Sequence, residues 1–387
     1  MLAGPASDLS NRRSPREIIV NAERLNELVA YLLNQDSQWK LQERVVAARD
    51  AYEALSGNPS DPASQQRAAT ELSALERSIL QSSAELTPAR REAIREIGGH
   101  PWFSDGLADA FRRELNDNAA TPAVAADFAR RQADERQTYL NRLRTTMTAL
   151  DELGLAAAEP EADQPELGFT IPRELFDNKL IGLSKELAEI SRILDIFSEA
   201  TTGEKKPVEV RQISTSDPSF FFGVVVPVAV AVAGSITWIL NTWKQALEIK
   251  ELRSKAKATG FTDEDLKIFE NKVEALIETS IESRVDELLA TRGDGRTNEL
   301  RNGLRYAHRA LLARIERGMT VEVRFLPPEP FAADDDETTE ETMVREAYAT
   351  LADYAKRMEF PEITDEPIIK LPRYEERKNP QRPMGGD

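Results

Sequence analysis

Apolar residues recur every three or four positions along most of this 387-residue chain, the spacing that puts them on one face of an α-helix. A capping box at Ser14-Pro15-Arg16-Glu17 predicts the first helix, whose buried face carries Ile18, Leu25, Leu28, Val29 and Leu32. Further helices follow with Trp39, Val45, Val46 and Leu55, with Ala68, Leu72, Leu75 and Ile79, and after Thr87-Pro88. A longer helix from Thr121-Pro122 ends near Leu153 and shows a seam of Leu140, Leu143, Met147 and Leu150. Residues 1–154 thus read as an N-terminal helical bundle, followed by an acidic linker over 155–167.

The most regular heptad spacing comes next. Phe176, Leu180, Leu183, Leu187, Ile190, Leu194 and Phe197 alternate at four and three residues, with charged residues between them. This predicts a coiled-coil-like helix and an oligomer seam, its partner being either the 140–150 seam or the same helix of a second copy. An amphipathic helix on an ordinary bundle core fits the same spacing.

Two short segments change period. Residues 207–213 and 321–325 alternate apolar and polar, the signature of half-buried strands, and both contain Val-Glu-Val-Arg. Paired strands of this kind would set Glu and Arg across from each other. Weaker strand candidates are 169–171 and 368–371. The expected fold is therefore mainly α: a helical bundle, a coiled-coil-like helix, and a small α/β unit (168–330) with a long apolar helix between two short strands. An acidic loop, a last helix and a polar tail fill 331–387.

That apolar helix is the most telling stretch. Residues 220–240 carry no charge, and 12 of the 21 are Val, Ile, Leu or Phe. As one helix they reach about 31 Å, close to the hydrocarbon thickness of a bilayer. The expected helix runs from 218 to 258, with Pro227 kinking it. Phe220, Phe221 and Phe222 at one end and Trp238 and Trp243 at the other resemble interfacial aromatics, with Val225 between. Ala229, Ala233 and Thr237 fall every fourth residue, a small face that lets helices approach closely. A membrane-spanning or membrane-inserting helix follows, with a lipid bilayer as partner. One objection stands: if the two strands pair, both ends of the run lie on one side of any membrane, and no second segment is apolar enough to return. The strands then do not pair, or the run is buried in protein, or the chain switches and inserts when triggered.

Charge and composition narrow the remaining functions. With 50 basic and 67 acidic residues the net charge is 50 − 67 = −17, which disfavours nucleic acid. The chain lacks cysteine, which excludes disulfides, thiolate metal sites and a Cys nucleophile. The first 20 residues are charged and show no apolar leader, and the N-terminal domain is expected to be cytoplasmic, with the protein at the membrane. Of the two histidines, His100 reads as a turn residue and His308 as a hydrogen-bonded core residue on the stripe of Leu304, Leu311 and Ile315. The Arg-Gly-Asp at 292–294 reads as a turn and the acids at 334–337 as a solvated loop. Phosphate-binding glycine loops and the Gly-x-Ser-x-Gly elbow are absent from the sequence. Neither cofactor nor catalytic residue is assigned. The expectation is a non-enzymatic, membrane-associated protein that homo-oligomerises and presents its helical domain to a protein partner. The alternative is a soluble, cytoplasmic scaffold or assembly subunit with the apolar helix buried at an interface.

Overall fold

A computed structural model describes residues 22–118, 120–155, 164–214, 218–290, 297–326 and 338–361. The capping box at 14–17, most of the linker, the turn at 292–296, the acidic loop at 332–337, the strand candidate at 368–371 and the polar tail lie outside these residues. The protein is mainly α, with twelve α-helices and one four-stranded antiparallel sheet among the described residues. It divides into two compact units, one of residues 1–84 and 90–158, the other of 85–89 and 159–387.

In the first unit, α1 (Ala22–Gln38), α2 (Leu41–Gly57), α3 (Pro62–Ala84) and α4 (Pro88–Glu96) lead through the short α5 (His100–Phe103) and α6 (Asp105–Asp117) to α7 (Pro122–Glu152). The long α7 packs on α1, α2 and α6. Its buried face begins with Ala125, Ala126, Ala129 and Ala133, set in the same unit as the buried Ala48 and Ala51 of α2. Small side chains at four-residue spacing let two helix backbones come close, which suits the extensive α2–α7 contact. Further along, Arg136 is wholly buried. It donates to Asp36 (2.7 Å) and to Gln42 (3.0 Å), and its guanidinium lies over the Phe103 ring. Burial lowers its pKa, and Asp36 opposes that shift.

The second unit starts with β1 (Glu166–Thr170), whose first two residues fall in the expected linker and whose end overlaps the weaker strand candidate at 169–171, and a 3-10 turn, Arg173–Leu175. Then come α8 (Leu180–Thr202), β2 (Glu209–Ser214), β3 (Ser219–Gly223), α9 (Val226–Ala258), α10 (Asp263–Leu289), α11 (Thr297–Ile315), β4 (Thr320–Arg324) and α12 (Thr339–Arg357). The sheet order is β2-β3-β1-β4. Thr262 and Thr338 both close capping boxes at the starts of α10 and α12.

Three expectations are corrected here. Phe220, Phe221 and Phe222 form β3, not the start of the apolar helix. Aromatic residues favour a pleated, half-buried surface, and β3 finds partners on both sides, β1 and β2. The helix begins at Val226, so Pro227 occupies its first turn, where a missing N–H costs nothing, and does not kink it. The two Val-Glu-Val-Arg segments are strands and do not pair, one of the three alternatives left open above: they form opposite edges of the sheet. Arg324 of β4 instead meets Glu166 of β1 (3.4 Å) and donates to the Gln212 side chain (3.0 Å). Phe176 lies outside α8, because Asp177 and Asn178 take left-handed backbone angles (φ 50° and 54°) that separate it from the helix.

The core of this unit lies between the sheet and the helices. Leu167, Phe169, Phe220, Phe222, Val321 and Val323 supply the sheet side. On the opposite face the Phe221 ring lies directly over Gly168, where any Cβ would collide with it, and the Arg324 guanidinium stacks on the same ring.

Candidate functional site

The chemistry concentrates where α9 passes through the helical layer. Among the described residues α9 is the one helix long and apolar enough to cross a membrane. Its uncharged part, residues 226–243, spans about 27 Å. In this structure α8, α10, α11 and α12 all pack against it. Val228, Ala229, Val232, Ala233, Ile236, Thr237, Ile239, Leu240 and Trp243 are buried, while Val225 and Trp238 are partly so. These helices cover most of the stretch, 72% of its most apolar window being buried, while Pro227 and Asn241 are exposed.

Midway along it stands a polar waist. Gly234 has no side chain, and a Cβ there would sit 2.5 Å from Nη2 of Arg284 on α10 and 3.0 Å from the ring of Tyr354 on α12. Arg284 is buried, and its guanidinium reaches Glu287 (2.7 Å). Ser235, the next residue, meets His308 of α11: Nε2 lies 3.0 Å from the serine Oγ, and Nδ1 lies 2.7 Å from the Leu304 carbonyl oxygen. A carbonyl oxygen only accepts, so Nδ1 carries the proton and Nε2 accepts from the serine hydroxyl. The rings of Trp238 (5.6 Å) and Phe197 of α8 (5.5 Å) flank the imidazole. Burial pushes His308 down to about 4; the Leu304 carbonyl opposes this and the Arg284 charge adds to it. His308 is thus neutral at pH 7, a hydrogen-bonded core residue touching α8 and α9.

Thr237, of the every-fourth-residue small face, donates to the Ala233 carbonyl within its own helix. Ala229 and Ala233 are fully buried, as close helix packing requires. Trp243 is buried in the core, and Phe220 and Phe222 sit in the sheet side of it.

The seven heptad positions do not form one continuous seam. Ile190, Leu194 and Phe197 are fully buried, and α8 packs on α9 and α11. Leu183 and Leu187 are half-buried against the same core. Leu180 is 83% exposed and its neighbour Ile181 60%, so the first turn of α8 runs out past the core. The polar side of the α8–α11 contact is closed by Arg314 on Glu186 (2.7 Å), Tyr306 on Glu189, and Arg192 over the Tyr306 ring (4.3 Å).

Gly234, Ser235, Arg284 and Tyr354 were not singled out as a group by sequence reasoning. The signal was present: Arg284 falls at a core spacing between Ile281 and Leu288, and Gly-Ser interrupts an aliphatic run. Among the described residues, no group of three or more His, Cys, Asp and Glu could hold a metal ion. No family model matches the chain, and neither a curated protein nor a solved structure matches it.

Proposed function

We propose that this chain is a soluble, non-enzymatic assembly subunit in which the apolar helix is a core element and the exposed surfaces do the work. The observation that carries this reading is the enclosure of α9 by four helices of its own chain, with 72% of its most apolar stretch buried. Lipid is not needed to keep that stretch dry. The interior ionisable groups are engaged in structural contacts, Arg136 with Asp36, Arg314 with Glu186, Arg324 with Glu166 and His308 with Ser235. The projecting first turn of α8, with Leu180 and Ile181, is the surface assigned to self-association. It extends a ridge whose other end is already packed, so a second copy would continue an existing apolar contact. Membrane insertion then belongs to a second state of the molecule, in which α9 has left this bundle.

Light scattering coupled to size exclusion, without detergent at neutral pH, tests the reading. The expected result is soluble protein of defined mass above the monomer, reduced to monomer by Leu180→Glu with Ile181→Glu. Recovery only with detergent would refute the core-helix assignment, and a monomer would refute the assembly role.

A further inference from the structure

The polar waist of α9 goes beyond what a passive core needs. One imidazole, buried to 0% exposure, sits where α9 and α11 meet under a ring from α8, and its partner hydroxyl belongs to the apolar helix itself. We propose that the His308–Ser235 contact is an acid-sensitive latch on α9, holding it in the bundle at neutral pH and releasing it to a lipid bilayer when the imidazole gains a proton.

The surroundings of the ring suit a neutral imidazole and oppose a charged one. On α8 the facing residue is Phe197, and the carboxylates of that interface, Glu186 and Glu189, are engaged by Arg314 and Tyr306. From α9 come Ser235 and Trp238, and residues 226–243 of that helix contribute no charge. Arg284, a like charge, comes from α10 and is paired to Glu287. The α10 carboxylates Glu278, Glu282 and Asp286 are held by Arg309, Arg305 and Arg301 of α11. Among the described residues no carboxylate hydrogen-bonds His308. A proton there creates a second buried cation beside Arg284 with no counter-charge. An imidazole held near 4 against an ordinary 6.5 biases the closed-to-open equilibrium toward opening by about 150-fold at pH 4.

Lipid is the occupant that fits the released helix. The uncharged part of α9 is about 27 Å long, and because β3 before it and β4 beyond α11 both pair with β1, it enters the bilayer from one side and does not cross it. Its polar waist is self-sufficient outside the bundle: Thr237 already donates to a carbonyl one turn back, and Ser235 can do the same. Water offers no comparable compensation for a helix this apolar, and its original cover has opened.

Vesicle flotation tests the latch. Full-length protein is mixed with phosphatidylcholine vesicles, which carry no net charge, at pH 7.5 and pH 4.5. The expected result is no association at pH 7.5 and association at pH 4.5, with His308→Gln at least tenfold less associated at the lower pH. Wild-type protein that stays unbound at pH 4.5, or a glutamine variant that binds as wild type does, would overturn the latch. Should the variant fail to fold, the wild-type protein decides: with two histidines in the chain, the imidazole carbon signals can be titrated by NMR. Association and His308 protonation should then share a midpoint within one pH unit, and a larger separation overturns the proposal. Association already at pH 7.5 would contradict the proposed function and the latch together, whereas none at either pH contradicts the latch alone.

Discussion

Replacing Ile236 by alanine probes the enclosure of α9 directly. Ile236 is fully buried in the middle of the helix, one residue from the polar waist. Alanine removes three carbons, worth about 2.4 kcal/mol at about 0.8 kcal/mol per buried methylene. A close-packed site relaxes incompletely around the hole, so the full cost falls at about 3–4 kcal/mol, inside the usual range for such truncations. Valine at the same site removes one carbon and costs about 1 kcal/mol. The exposed Ile268→Ala should cost under about 0.5 kcal/mol, which serves as the reference. The assay is urea unfolding in detergent-free buffer, followed by tryptophan fluorescence. Four tryptophans complicate the signal, but Trp238 and Trp243 lie in the second unit and Trp39 and Trp102 in the first. A Trp39→Phe/Trp102→Phe background therefore reports the second unit alone. The expected Ile236→Ala loss is a roughly hundredfold or greater drop in the folding constant. A loss below about 0.5 kcal/mol would show that Ile236 is not packed by protein in solution, and the enclosure argument would fail.

Other outcomes follow from the same structure. The His308 imidazole is lower in the folded protein than in the unfolded chain, so the unfolded chain takes up a proton first as pH falls. His308 therefore contributes stability that is fully present above about pH 6.5 and is lost, by about 3 kcal/mol, as pH falls to about 4. Subtracting a His308→Gln unfolding series from the wild-type series should isolate that slope from the carboxylates; parallel series would refute it. Gly168→Ala should destabilise the second unit, because the new methyl meets the Phe221 ring; an unchanged midpoint in the same fluorescence assay would contradict the register of β1 on β3. Arg136→Met should destabilise the first unit by about 3–5 kcal/mol by leaving Asp36 buried without its cation, and Asp36→Leu in the same chain should recover part of that loss. Circular dichroism melts of the single and double variants check this, and a single variant as stable as wild type would refute it.

Much of the fold could be read from periodicity. The helical bundle and the two alternating segments that became β2 and β4 each follow from local spacing, and local spacing is what sequence shows best. What stayed hidden was non-local. Three phenylalanines before an aliphatic run look like the end of one long helix; they become a strand because β1, some fifty residues earlier, and β2 offer their edges. The heptad from 176 to 197 looked continuous because spacing carries no sign of the left-handed Asp177-Asn178 pair or of where the core ends. His308 was legible as a core residue from its stripe. Its meeting with Ser235, 73 residues away, and the approach of Arg284 to Gly234 depend on how α9, α10 and α11 stack, which no single helix encodes.

Native-state hydrogen exchange of α9 tests the central claim most directly. In detergent-free solution the amides from Val228 to Trp243 should exchange only through global opening of the second unit, with protection unchanged by a hundredfold dilution. Protection that appears only with lipid, or that falls away on dilution, would show that the helix is kept dry by something other than its own chain.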